Sequence, residues 1–153
     1  GGVPVPKRDP SRQAYRLLEI ERYRKKLNIN INKQPKFFPP ADPHKAALFA
    51  IAAIKNGLSL DFGKSVLTKL WSEEQDISSD STLETICKEL GLSFADLKKD
   101  ADNEDIKSVY LSNSKDAISK GVFGAPSFII DNELFWGQDR LDFLEDKIKS
   151  LQK

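Results

Sequence analysis

Cys87 and His44 are the only cysteine and the only histidine in 153 residues, and they bound the polar chemistry open to the chain. One cysteine closes no intramolecular disulfide, and one cysteine with one histidine makes no Cys/His zinc site. Without a C-x-x-C pair the chain alone is not a dithiol oxidoreductase. A Ser-His-Asp or Cys-His machine would have to run through His44, which follows a proline-rich loop and reads as a surface or helix-start residue. Cys87 falls on the inner stripe of a helix and reads as buried and inert. The other residues whose type and spacing could bind something are concentrated near the C-terminus. They are Gly124-Ala125-Pro126, the aromatic segment ending at Trp136, and Gln138-Asp139 before a last amphipathic stretch. Arg12, at the head of a basic helix, and Trp71 complete the set. Each also has a plainer reading: a turn for Ala125-Pro126, a helix cap for Asp139, a solvated surface residue for Arg12, and core packing for the two tryptophans.

Composition narrows the classes. Lys plus Arg is 24 and Asp plus Glu is 23, for a net charge of +1, so nothing in the balance attracts nucleic acid or an anionic membrane. No apolar run approaches the ~20 residues of a membrane span. Hydrophobic residues make up 39% and charged residues 31%, which is the composition of a globular chain rather than a disordered one. The chain contains no Met and opens Gly1-Gly2-Val3-Pro4, so it is expected to be a processed chain or the visible part of something longer.

The elements that must position these residues follow from periodicity. Residues 1–10 read as a loop, and Ser11 is expected to cap a helix over Arg12–Leu27. Asn28–Asn32 reads as an extended connection and Phe37–Pro43 as a stiff loop. Ala46–Asn56 is apolar all round, which predicts a buried helix ended by Gly57. Asp61–Glu74 carries Phe62, Val66, Leu67, Leu70 and Trp71 on one stripe. Ser81-Thr82-Leu83-Glu84 has the capping-box pattern and opens a helix with Leu83, Ile86, Cys87 and Leu90 inside. Ser93–Asp96 repeats the start signal, and Asn103–Lys120 predicts a longer polar helix carrying Ile106, Val109 and Ile118. Pro126–Ile130 and Glu133–Trp136 read as two strands joined by the hairpin turn Asp131-Asn132. From Asp139 a final helix would place Leu141, Leu144, Ile148 and Leu151 on its inner face. Two strands make a poor sheet by themselves, so the pattern reads as the end of an α/β domain.

Gly121-Val122-Phe123-Gly124-Ala125-Pro126-Ser127-Phe128, followed by Leu134-Phe135-Trp136-Gly137-Gln138-Asp139-Arg140-Leu141, closely resembles a motif pair of the 2-hydroxychromene-2-carboxylate isomerases and kappa-class glutathione transferases. Leu70–Ile77 and Ala14-Tyr15 are similar to the same family's helical part, and the resemblance runs from Gly1 to about Lys149. It implies an α/β, thioredoxin-like fold of the DsbA type with a large inserted helical domain. The implied division is 1–10 as a loop, 11–120 as the helical domain, and 121–153 as the C-terminal hairpin and helix. It also implies that the first strand-helix-strand of the thioredoxin part, with a catalytic Ser at the start of its helix, is absent from this chain. No catalytic residue is therefore assigned here.

The resemblance implies glutathione as cofactor. Pro126 would be cis, turning the backbone of Ala125 toward an extended thiol peptide that pairs there like an added strand. Gln138 and Asp139, at a helix N-terminus, would meet the γ-glutamyl carboxylate and ammonium. Arg12 would hold the glycyl carboxylate through a bidentate fork, while Trp136 and Trp71 would line a pocket for a hydrophobic or aromatic electrophile. The implied activity is glutathione-dependent thiol chemistry of the isomerase or transferase type, in a homodimer, in the cytoplasm or mitochondria. A DsbA-like thiol-disulfide oxidoreductase and an inactive thioredoxin-fold scaffold are the competing readings.

Overall fold

Asp9-Pro10-Ser11 starts the first helix. The Asp9 carboxylate accepts from the backbone N–H of Ser11 at 2.8 Å, and Pro10 takes the first helical position, where a missing N–H costs nothing. The cap is therefore Asp9, and Ser11, expected to cap, is a donor to it. In the computed structural model, which describes residues 3–152, helix α1 spans Pro10–Leu27. Gly1 and Gly2 of the expected opening loop, and the terminal Lys153, lie outside the described residues. Asn28 closes α1 in the left-handed conformation, and a turn of 3-10 helix over Val5–Lys7 interrupts the opening loop.

Five further helices follow: α2 (Pro43–Ala52), α3 (Ser59–Trp71), α4 (Asp80–Glu89), α5 (Phe94–Ala101) and α6 (Glu104–Ser119). The predicted helix over 46–56 begins three residues earlier, because Asp42 caps it from the N–H groups of His44 and Lys45. It tightens into a 3-10 turn from Ala53 to Asn56. The start signal at Ser81 is displaced: the cap is Ser79, which accepts from Thr82 N–H. Ser93 caps α5 through Asp96 N–H. Strands β1 (Ser127–Ile130) and β2 (Glu133–Trp136) pair antiparallel, Ser127 opposite Trp136 and Ile130 opposite Glu133. Both turn residues have positive φ, 52° at Asp131 and 60° at Asn132, the geometry that suits the right-handed twist of a hairpin. The last helix, α7, spans Leu141–Leu151.

The chain divides into two compact units, one Arg8–Leu111 and the other the residues before Arg8 together with those from Ser112 onward. In the first, Phe62, Leu83, Ile86 and Cys87 are fully buried, and Phe49 stacks between Phe62 and Phe94 with ring centroids 6.1 and 5.8 Å away. Leu67, expected inside, is exposed, as are Val109 and Ile118 of α6. The Lys69 side chain is buried, and its ammonium meets Glu73 at 2.9 Å and Glu89 at 2.7 Å. In the second unit α7 packs on the hairpin, and Lys147 reaches Glu133 at 3.1 Å and Asp131 at 3.4 Å. Leu141, Ile148 and Leu151, the expected inner face of α7, are exposed in the described residues, and Leu144 is half-buried. No helix among the described residues is long and apolar enough to cross a membrane.

Candidate functional site

Ala125 is exposed, and among the described residues neither its N–H nor its C=O takes part in a hydrogen bond. Its neighbours are held. The Ser127 hydroxyl donates to the Gly124 carbonyl at 2.6 Å, and Gly137 N–H donates to the Pro126 carbonyl at 3.0 Å. The Ala125–Pro126 peptide bond is cis, as is Phe38–Pro39. One free donor and one free acceptor therefore stand beside β1, whose second edge has no partner strand among the described residues. Such an edge takes an extended peptide by backbone pairing.

Trp136 overlies this turn. Its ring lies 5.1 Å from that of Phe123, and a Cβ added to Gly124 would sit 2.6 Å from the indole Nε1. Only glycine allows that approach. The indole is half exposed, at 51%, so it walls the turn rather than filling a core. Gly137 has φ +112°, and a Cβ there would meet Asp139 Oδ1 at 2.5 Å; the carboxylate folds back across the glycine. Asp139 also lies 3.4 Å from the Arg140 guanidinium. Gln138 and Asp139 are both exposed and precede α7, whose cap is Arg140 without a side-chain hydrogen bond. The predicted helix start at Asp139 is thus two residues early, and Asp139 is not the cap. Glycine at 137 breaks the helical backbone and delays α7.

The other predicted residues belong to the Arg8–Leu111 unit. Arg12 is exposed on α1, in a cleft of about 440 Å³ with Arg8, Ser11, Tyr15 and Arg16. Trp71 is half-buried against the core, and its ring centroid lies 4.9 Å from that of Phe38. Arg16 covers both rings, 5.5 Å from Phe38 and 5.7 Å from Trp71. Burial first, and the charge of Arg8 second, lower the Arg16 guanidinium from its ordinary range. Sequence reasoning missed Arg16; its signal was the four-residue spacing from Arg12, which puts the two on one face of α1, while Arg8 precedes the helix. Trp71 also lines an apolar groove of about 1150 Å³ between α2, α3 and the connection at residues 29–31, with Ala47, Ala50, Leu60, Gly63 and Leu67. Leu60 is 90% exposed there.

The remaining polar residues carry no such arrangement. Cys87 is fully buried, and burial raises its thiol above the ordinary value, which keeps it protonated and unreactive. His44 Nδ1 meets the Tyr110 hydroxyl at 2.7 Å at the head of α2.

Residues 1–149 match the model of the DSBA-like thioredoxin domain. The chain belongs to that family. A curated relative, 2-hydroxychromene-2-carboxylate isomerase of Sphingobium xenophagum, is 28% identical over 129 residues, covering 84% of this chain. The chain spans 64% of the length of that relative. A solved structure of a 2-hydroxychromene-2-carboxylate isomerase superposes with a TM-score of 0.78 at 20% identity, covering 98% of this chain and 71% of the other. The shared fold is that of a DSBA-like thioredoxin domain with a mostly helical insertion. In this chain seven α-helices accompany the two-stranded sheet among the described residues.

Proposed function

We propose that this chain carries the thiol-peptide cradle of a glutathione-dependent enzyme of the isomerase or transferase type. The observation that carries the reading is Ala125, an exposed residue with an unpaired backbone donor and acceptor in a chain whose curated relative is an isomerase. The cysteinyl unit of glutathione offers one N–H and one C=O in extended form, the complement of that pair. Gln138 and Asp139, exposed on the same turn-strand-turn segment, supply an amide and a carboxylate for the γ-glutamyl end. An ammonium beside Asp139 makes a charge-assisted hydrogen bond.

The chemistry this reading supplies is thiolate addition. The glutathione sulfur forms a bond to the electrophilic carbon of a conjugated carbonyl, and the electron pair of the double bond moves to the oxygen. The former double bond is then single and rotates. Collapse of the enolate expels the thiolate and restores the double bond in the other geometry. A transferase stops at the protonated conjugate. Activation of the thiol is assigned to no residue of this chain.

The test is titration of the full chain with glutathione, followed by calorimetry and amide NMR. Saturable binding with shifts at Gly124, Ala125 and Gln138 is expected. Loss of one charged hydrogen bond in Asp139→Asn should weaken it by about tenfold. Absence of saturable binding, or shifts confined to other residues, would sink the reading.

A further inference from the structure

Gly63 stands in the interior of α3, where glycine is destabilising relative to alanine, and the fold gives no steric reason for it. Its backbone is ordinary helix, and a Cβ added there would meet nothing from a neighbouring element within 4 Å. The space it leaves open belongs to the apolar groove of about 1150 Å³ between α2 and α3. Leu60 and Leu67 stand on the wall of that groove, 90% and 59% exposed, so two large side chains bury little against the protein itself. The lining residues run from Ser59 to Trp71, the whole of α3, which at the helical rise is about 20 Å. The groove is therefore long as well as apolar.

Charge decides what end group it takes. Lys64 and Glu73 are the charged side chains on its lining. Glu73 is already engaged with the buried Lys69 ammonium at 2.9 Å. Lys64 is exposed and makes no ion pair among the described residues; Asp61, one turn earlier, lines a neighbouring cleft. The free charge on the groove is thus positive.

We infer that this groove binds a free single-chain amphiphile with an anionic head, of the fatty-acid type, its chain lying over Gly63 between Leu60 and Leu67 and its carboxylate meeting the Lys64 ammonium. Burial of methylenes supplies the affinity, a long groove favours a linear chain over a compact ring, and a lysine neutralises the head while its stem adds apolar cover. The site is built from the Arg8–Leu111 unit alone and does not depend on the glutathione reading.

The experiment titrates the full chain carrying Trp136→Phe, in which Trp71 is the only tryptophan, with octanoate, decanoate and dodecanoate below their micelle concentrations, read by Trp71 emission. Affinity should rise about two- to fourfold per added CH₂. Lys64→Gln should weaken dodecanoate about fivefold and leave dodecanol unchanged. Gly63→Leu puts a good helix former into open space, so it should unfold at the parent's temperature or higher, yet weaken dodecanoate at least tenfold by filling the groove. Absence of saturable binding, affinity independent of chain length, or a Gly63→Leu or Lys64→Gln variant that binds dodecanoate as the parent does would overturn the proposal. So would a concentration-dependent dimer in sedimentation that Gly63→Leu dissociates while dodecanoate fails to bind, which assigns the groove to a second copy of the chain. Glutathione is titrated separately by calorimetry, so a loss confined to dodecanoate leaves the glutathione reading untouched.

Discussion

Gly124→Ala tests whether the Trp136 indole seals the turn that carries Ala125. The added Cβ would lie 2.6 Å from Nε1, 3.3 Å from Cε2 and 3.4 Å from Cδ1, roughly 1 Å inside ordinary contact at the closest atom. The backbone has little freedom to give, since Ser127 Oγ and Gly137 N–H hold Gly124 and Pro126 on either side. The indole, 51% exposed, is the part that moves. If it stays, overpacking costs about 1–3 kcal/mol. If it swings outward it forfeits its pairing with Phe123, about 0.5–1.5 kcal/mol, together with the roughly 100 Å² of apolar area it covers, about 2.5 kcal/mol. Both routes give a loss of about 1–4 kcal/mol. The outward route also moves Trp136 emission to longer wavelength. In a Trp71→Phe background Trp136 is the only tryptophan, so fluorescence reports it alone. In Trp136→Phe the Nε1 is absent, so Gly124→Ala should cost clearly less, giving a coupling energy in a double-mutant cycle. Unchanged emission with unchanged stability in Gly124→Ala would refute the placement of the indole over the glycine.

Three further outcomes follow from the helices, the hairpin and the ion pairs. Ser79→Ala should lower stability by about 1 kcal/mol through loss of the α4 cap, and Ser81→Ala should leave it nearly unchanged; denaturant unfolding of the pair separates the two candidate caps. Asn132→Val should cost about 1–2 kcal/mol, because φ is 60° there and a β-branched side chain resists the left-handed region, whereas Asn132→Gly should be tolerated; thermal unfolding reads both. Asp80 is held below its ordinary carboxylate value of 3.8 by hydrogen bonds first from Lys45 and then from Lys98. Its contribution is present above pH 3.8 and is lost as pH falls through the lower folded value. Lys69, raised above 10.5 by Glu89 and then Glu73, contributes fully below 10.5 and loses its effect as pH rises past the higher folded value. Asp80→Asn should therefore flatten the acid limb of a stability-pH profile, Lys69→Met should flatten the alkaline limb, and unaltered limbs would contradict the pairings.

Much of the fold was legible because its signals are local. Asn132 and Asp131 between two aromatic-aliphatic runs name a tight hairpin, since few residues adopt positive φ without a penalty. Ser93 with Asp96 three residues on marks a helix start, and the stripe Leu83, Ile86, Cys87 marks the buried face. The misplacements have a common cause. Ser11, Ser81 and Asp139 each lie within two residues of the true cap, and each was displaced by a competing local group: Asp9 ahead of Pro10, Ser79 with its hydroxyl on Thr82 N–H, and Gly137 forcing a turn before α7. Cap chemistry is degenerate over two or three positions, and only the backbone path decides among them. The exposure of Leu67, Ile118 and Leu141 was not legible for a different reason. Helical periodicity says which residues share a face and not what covers that face.

The two candidate sites were legible to different degrees because one is made of backbone and the other of side chains. Ala125 contributes no side-chain chemistry; what it offers is an amide and a carbonyl left unpaired between two tethered neighbours. A motif can point to it, but composition and charge cannot. Arg16 is the reverse case. It reads in sequence as one more cation on a basic helix, and its distinction arises only when Phe38 and Trp71, more than 20 and 50 residues away in sequence, close over its flat face. The two sites therefore respond differently to mutation. Any substitution at Ala125 other than proline keeps the N–H and C=O, so a side-chain scan passes over it, and its function is probed through what flanks it, Gly124 and Trp136. Arg16→Lys removes the planar guanidinium that lies over Phe38 and Trp71 and should cost about 0.5–1 kcal/mol of stability in denaturant unfolding. A scan that found Arg16→Lys destabilising and Ala125→Ser silent is the pattern this division of labour requires. The opposite pattern would place the chemistry in the wrong part of each residue.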